Sequence, residues 1–277
     1  MARKRTERML VTHVSASGRG RRPDELIVEE PMTIQLDGVV VATTMRTPGN
    51  DYELAVGFCF TEGLLAGAPV TGVRYCAPPE LAGVGGVDGR EVRASALATA
   101  FNVVTVETSG RAPVPTARLG LTSSSCGWCG SDQIDDLLDR LAPLPATDPI
   151  AAAVLASMPE RVLTGQGLFD ATGAVHAAAA FDRQGRVLVT REDVGRHNAV
   201  DKVVGALHLA GDLPATGRGL FVSGRASVEM VQKAWAAGFG SLVAVSAPTA
   251  LAVQAARTAG MTLLGFVRTD SYNVYAP

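Results

Sequence analysis

Between residues 148 and 266 the chain alternates helix-like and strand-like patterns, and this alternation restricts the fold more than any other feature. It predicts a helix over about 148–158, then strands over 174–181 and 186–191 joined by Asp182-Arg183-Gln184-Gly185. Helices over 197–209, 227–237 and 249–258 then alternate with strands over 219–222, 242–245 and 261–266. A helix between two strands supplies the crossover that parallel pairing requires. The second half, residues 146–277, is therefore expected to be a three-layer α/β sandwich.

The first half reads as a smaller α+β domain over residues 25–145. Strands are expected over 26–30, 33–36 and 39–46, with Asp37-Gly38 as a tight hairpin turn, and again over 73–76 and 101–108. Asn50-Asp51-Tyr52-Glu53 has the form of a capping box for a helix running to about Leu65. The glycine-rich stretch 81–89 reads as a loop, and 111–125 as an irregular segment. Ile134, Leu137, Leu138 and Leu141 mark one buried face of a helix over 131–141, after which Ala142-Pro143-Leu144-Pro145 reads as a linker.

No run of eighteen apolar residues occurs, so the chain is expected to be soluble, with no membrane partner. Residues 1–24 open with the basic Met1-Ala2-Arg3-Lys4-Arg5 and lack the apolar core of an export signal, so a flexible, solvated segment and a cytoplasmic location are expected. A net charge of −2 with 5% aromatic residues gives no wider footprint for nucleic acid.

Four cysteines are too few for a disulfide scaffold in 277 residues. Cys59 reads as a small core residue and Cys76 as a thiol without a partner. Cys126 and Cys129, in Ser125-Cys126-Gly127-Trp128-Cys129-Gly130, stand just before the helix that opens at Ser131. Unsatisfied N–H groups at a helix start favour thiolate, the form that attacks sulfur or binds metal. The pair alone leaves sulfur transfer, a zinc clip and thioredoxin-like exchange open. A clip needs two further ligands, and Cys59 and Cys76 lack ligand spacing.

Further motifs lie downstream. Ser223-Gly224-Arg225-Ala226-Ser227 follows a strand and opens a helix, so its N–H groups and Arg225 could hold an anion; an ordinary capped turn is the plainer alternative. Glu192, Asp193, Arg196, His197, Asp201 and Lys202 crowd a strand-to-helix turn, either lining a ligand site or capping the helix with Asp193 while Lys202 is solvated. His176 reads as a satisfied interior group, and His13 and His208 carry no signal.

These segments together, with Arg191-Glu192-Asp193-Val194-Gly195-Arg196-His197-Asn198, Ser246-Ala247-Pro248-Thr249 and Phe266-Val267-Arg268, resemble the formate dehydrogenase accessory sulfurtransferase family (FdhD). Glu29-Glu30-Pro31 and Glu53-Leu54-Ala55-Val56-Gly57-Phe58 resemble its N-terminal markers, and the likeness spans about residues 25–277. The resemblance implies a sulfur carrier: Cys126 takes sulfane sulfur from a cysteine desulfurase as a persulfide, and Cys129 assists. The acceptor it implies is the molybdenum cofactor, as bis(molybdopterin guanine dinucleotide), before insertion into formate dehydrogenase.

The resemblance also implies a cytidine deaminase-like second domain. Zinc deaminases carry His-x-Glu and Cys-x-x-Cys at two helix starts. Here His197 precedes Asn198-Ala199, and Ser223 to Ser227 hold the second position, so neither zinc nor deamination is expected. By resemblance Phe266, Val267, Arg268, Thr269, Asp270 and Ser271 bind the cofactor, and a guanine nucleotide such as GDP suits the same place. Phe266 can stack, Arg268 can meet phosphate and Asp270 can accept from guanine N–H groups; a plain strand exit is the alternative. A two-fold cofactor suits a homodimer. The competing class is a non-catalytic module that holds the cofactor, with a structural or redox cysteine pair.

Overall fold

In the computed structural model, residues 3–76, 102–114 and 141–277 are described. The expected loop 81–89, the thiols Cys126 and Cys129 and the expected helix 131–141, apart from Leu141, lie outside those residues.

Three short apolar runs organise the C-terminal half: β9 (Gly219–Val222), β10 (Ser241–Ala244) and β11 (Thr262–Gly265). Nearly every residue in them is buried, as befits parallel strands covered on both faces. They pair parallel, β9 to β10 to β11. Antiparallel neighbours complete a six-stranded sheet in the order β12-β11-β10-β9-β7-β8, with β7 (His176–Phe181), β8 (Val187–Asp193) and β12 (Asn273–Ala276).

Side-chain alternation sends Ala178, Ala180, Leu220, Val222, Leu242, Ala244 and Leu263 to one face. There they meet α4 (Arg196–Ala210), α5 (Val228–Ala236) and α6 (Ala250–Ala259). Ala179, Phe181, Phe221, Val243 and Leu264 face the other way, against Leu155, Met158 and Val162 of α2 (Ala152–Leu163). Helices on both faces make three layers, as the alternation predicts. A short α3 (Gly167–Thr172) and the edge strand β12 are additions to the sequence expectation. Helix α2 starts four residues beyond the predicted 148 and carries Pro159 inside it.

In the N-terminal half, β3 (Glu30–Leu36), β4 (Val39–Arg46), β5 (Gly72–Tyr75) and β6 (Val103–Glu107) form a four-stranded sheet in the order β4-β3-β6-β5. Helix α1 (Asp51–Thr61) buries Leu54, Ala55 and Cys59 against Met32, Ile34 and Val104 of that sheet. Asn50 precedes α1 as expected, but it is left-handed at φ 58° and its side chain caps nothing. Asp51 instead accepts from Gly49 N (3.0 Å) and from Arg46 Nε and Nη2 (3.1 and 2.9 Å). The helix ends at Thr61, short of the predicted Leu65.

Residues expected to fray are paired. β1 (Thr6–Ser15) and β2 (Gly18–Ile27) form a separate two-stranded antiparallel ribbon whose ten pairs run from Thr6–Ile27 to Ser15–Gly18. The stretch read as a linker is held too, by Trp235 Nε1 donating to Ala142 O (2.7 Å) and Leu144 N to Ala259 O (2.9 Å).

Helices α1 and α4 join the two halves, backed by a buried cluster of ion pairs and by a part-buried one. Lys233 Nζ donates to Asp201 (2.9 and 3.0 Å), Glu62 (3.0 Å) and Thr61 Oγ1 (2.8 Å). Arg191 forks onto Glu53 at 2.5 and 2.7 Å, the bidentate geometry that suits a guanidinium.

Candidate functional site

Three loops leave the carboxyl ends of β9, β10 and β11, the edge at which open α/β sheets bind ligands. Backbone hydrogen bonds zip them together. Ser246 N donates to Gly224 O (3.3 Å), Ala226 N to Ala247 O (3.2 Å) and Thr249 N to Ala226 O (3.1 Å). Ser246 O in turn accepts from Phe266 N (3.2 Å), so Arg225 and the 266–271 segment belong to one bonded platform.

The sequence-predicted residues divide on that platform. Arg225 is exposed at the turn before α5, without a hydrogen bond to any of the described residues. Phe266 is 44% exposed and sits in the left-handed region at φ 53°, a conformation that costs a non-glycine residue free energy. Val267 is fully buried among Phe221, Val243 and Leu264, so its side chain belongs to the core and only its backbone could serve a ligand. Arg268 Nη1 donates to Val245 O (2.7 Å) and Val267 O (2.8 Å), bracing two loops with part of its guanidinium while the rest is exposed. Asp270 and Ser271 are exposed and bonded to each other at 3.3 Å. Thr269 Oγ1 donates to Glu160 Oε1 of α2 (2.8 Å), which ties the segment to the neighbouring helix.

Glu160 also lines a cavity of about 650 Å³ beside the platform. Its walls include Phe169 of α3, Val175, His176, Phe221 and Ser223, an apolar hollow with few polar groups, as small-molecule sites have. Burial pushes the His176 imidazole below its usual range, with Arg196 and His197 adding to the shift, so it is neutral at pH 7. Its Nδ1 lies 3.5 Å from Ser223 Oγ, which accepts from Ala177 N at 2.9 Å. His176, expected as a satisfied interior group, is half-buried on the cavity wall. Glu160 and Phe169 carried no sequence signal, because each reaches the cavity from a different helix. Arg196 Nε is buried without a hydrogen-bond partner among the described residues, leaving a spare donor near Gly224.

Apart from Arg196, the 192–202 cluster serves the fold. Asp193 accepts from Thr47 N (3.1 Å), Gly195 N (2.8 Å) and Asn198 Nδ2 (3.0 Å), and pairs with Lys202 at 2.7 Å. Lys202 is fully buried, not solvated as expected, and donates to Thr47 O (2.9 Å) at the junction. Glu192 caps α3, accepting from Leu168 N (3.0 Å) and Phe169 N (2.8 Å). His197 Nε2 lies 4.0 Å from Glu229 Oε2 at the start of α5.

Of the described thiols, Cys59 is buried, and burial drives its pKa far above the usual thiol range, so it is inert as a nucleophile. Cys76 does have partners: Arg74 Nη1 approaches its Sγ to 2.9 Å and Thr105 Oγ1 to 3.1 Å. Among the described residues no group of three or more His, Cys, Asp or Glu side chains could hold a metal ion.

The family model FdhD-NarQ, described as the FdhD/NarQ family, matches residues 27–277. The chain belongs to the FdhD/NarQ family. It is 45% identical to the sulfur carrier protein FdhD of Mycolicibacterium paratuberculosis, over 98% of this chain and 96% of that one. It is 47% identical to the sulfur carrier protein FdhD of Anaeromyxobacter dehalogenans, over 91% of this chain and 87% of that one. A crystal structure from Desulfotalea psychrophila, of a protein provisionally described as a formate dehydrogenase accessory protein, superposes with a TM-score of 0.74. At 23% identity, covering 99% of this chain and 98% of that one, that likeness concerns the fold. The chain thus shares its overall architecture with that protein.

Proposed function

We propose that this chain is a sulfurtransferase of formate dehydrogenase maturation. It carries sulfur from a cysteine desulfurase to the molybdenum cofactor, bis(molybdopterin guanine dinucleotide), before the cofactor enters formate dehydrogenase. The observation that carries this reading is the family match over residues 27–277, which includes Cys126 and Cys129, with relatives named sulfur carrier proteins. The inert state of Cys59 supports it by removing that thiol as a competing nucleophile.

In the first step the Cys126 thiolate attacks the outer sulfur of the donor persulfide, and the donor cysteine leaves as thiolate. Attack of the Cys129 thiolate on Cys126 Sγ then releases that sulfur as hydrosulfide. The two thiols supply its two electrons and end as a disulfide, which an external dithiol resets. The acceptor suits the platform chemically: Phe266 offers an aromatic face, Arg225, Arg268 and the spare Arg196 Nε offer donors to phosphate, and Asp270 offers acceptors to guanine. A cytidine deaminase-like second domain fits its three layers. A cytoplasmic setting fits reduced thiols, and no helix among the described residues is long and apolar enough to cross a membrane.

The test is mass spectrometry after incubation with a cysteine desulfurase and cysteine. A gain of about 32 Da on Cys126, absent from Cys126→Ala, is expected. Guanine-nucleotide binding with no sulfur on either thiol would instead establish a holding module and overturn sulfur carriage.

A further inference from the structure

Gln166 stands just before α3 and is only 6% exposed, yet its side chain neither caps that helix nor finds another hydrogen bond among the described residues. It lines the cavity of about 650 Å³. A buried amide left without a partner is costly, and a ligand in the cavity removes that cost. Leu163, Phe169, Val175 and Phe221 supply apolar walls around it, which suit a flat, uncharged ring.

His176 lines the same cavity, and its tautomer is set from behind. Ala177 N donates to Ser223 Oγ (2.9 Å), which leaves the hydroxyl proton to point at His176 Nδ1, 3.5 Å away. An accepting Nδ1 puts the proton of the neutral imidazole on Nε2. That N–H has no hydrogen-bond partner among the described residues. The cavity therefore holds one fixed donor, on His176, and one amide that offers a donor beside an acceptor.

We propose that His176 and Gln166 are the specificity-determining residues of the cavity, reading the lactam edge of a flat heterocycle, the edge that guanine and pterin share. The ring carbonyl accepts from His176 Nε2, and the adjacent ring N–H and carbonyl match the two ends of the Gln166 amide. Adenine carries an amino group in place of that carbonyl. The Gln166 amide can turn over to meet it, but the His176 N–H then faces another donor, which penalises adenine. The identity of the ring rests on the cofactor proposed above, which carries both guanine and pterin.

Calorimetric titration of the full chain with GDP, ADP and free pterin tests it, with circular dichroism to confirm that each variant folds. His176→Phe keeps a flat ring but loses the donor, and Gln166→Leu loses the amide. If guanine occupies the cavity, each variant should lose more than about tenfold in affinity for GDP while ADP binding falls less, so the preference for GDP narrows. If pterin occupies it, the same loss should appear for pterin with GDP unchanged. Either pattern in either folded variant supports the assignment. Equal losses for GDP and ADP, affinities like the wild type in both variants, or a wild type that binds neither GDP nor pterin overturns it. Mass spectrometry of Cys126 separates this from sulfur carriage. Variants that bind as the wild type while Cys126 still gains sulfur would sink only the reader role. A wild type that reads the ring but gains no sulfur would sink only the carrier.

Discussion

Gly57 of α1 and Gly205 of α4 meet backbone to backbone across the junction of the two halves. A Cβ on Gly57 would lie 1.8 Å from Asp201 O and 2.8 Å from Gly205 N, and one on Gly205 would lie 1.8 Å from Glu53 O. These partners are main-chain atoms and cannot swing aside, so the helices must separate to admit a methyl group. Gly57→Ala or Gly205→Ala is therefore expected to cost on the order of 3 kcal/mol, an overpacking penalty at the upper end. The midpoint of thermal unfolding should fall by about 5–10 °C in each. An unchanged midpoint would show that α1 and α4 are not held in this contact.

The sequence made the central parallel strands legible because β9, β10 and β11 are short, mostly apolar and separated by helices with one apolar face each. It hid the N-terminal ribbon because β2 is arginine- and glycine-rich and finds its partner only through the register with β1. The edge strand β12, with Asn273 and Val274 exposed, lacks the alternation that betrays a half-buried strand. At the site, Arg225 and the 266–271 segment were readable as loop chemistry after strands. The roles of Val267, Lys202 and His176 were not, since burial and cavity walls arise from elements far apart in sequence.

Lys202 and Asp193 form a buried pair at 2.7 Å, and Asp193 is further held by Thr47 N and Asn198 Nδ2. Removing the cation leaves a buried carboxylate uncompensated, so Lys202→Met should destabilise by about 3–5 kcal/mol. In an Asp193→Asn background the same change should cost less, because no charge is stranded. Urea unfolding of the four proteins measures the coupling; strictly additive costs would mean the pair is not coupled.

Glu229, beside the His197 imidazole, has its carboxyl lowered to about 2 from 4.5; the Ser227 hydroxyl and its own backbone N–H help, and burial opposes. A depressed carboxyl contributes stability that is present above its unfolded value of 4.5 and lost as pH falls toward about 2. Glu229→Gln should remove that contribution and flatten the acid limb of the stability curve between those values. Acid titration followed by circular dichroism checks it, and equal slopes in the two proteins would refute the coupling.

Phe266 combines a left-handed backbone, φ 53°, with a ring 44% exposed on the platform that Arg225 and Arg268 share. Fold stability does not ask for that combination: glycine adopts the conformation without strain, and an exposed ring contributes little packing. Phe266→Gly should therefore stabilise the fold by about 1 kcal/mol, seen as a thermal midpoint raised by about 2–4 °C. If the ring stacks on the guanine ends of the cofactor, the same variant should lose about tenfold or more in affinity for GDP, within the range for base stacking on an aromatic side chain. Phe266→Ala separates the two effects, since it discards the ring but keeps a Cβ at positive φ. It should match the glycine variant in nucleotide binding while gaining less stability. Calorimetric titration with GDP, paired with melting curves of the three proteins, gives both readings. A glycine variant that melts lower than wild type would show the strain to be absent, and one that binds GDP as tightly as wild type would remove Phe266 from the docking surface.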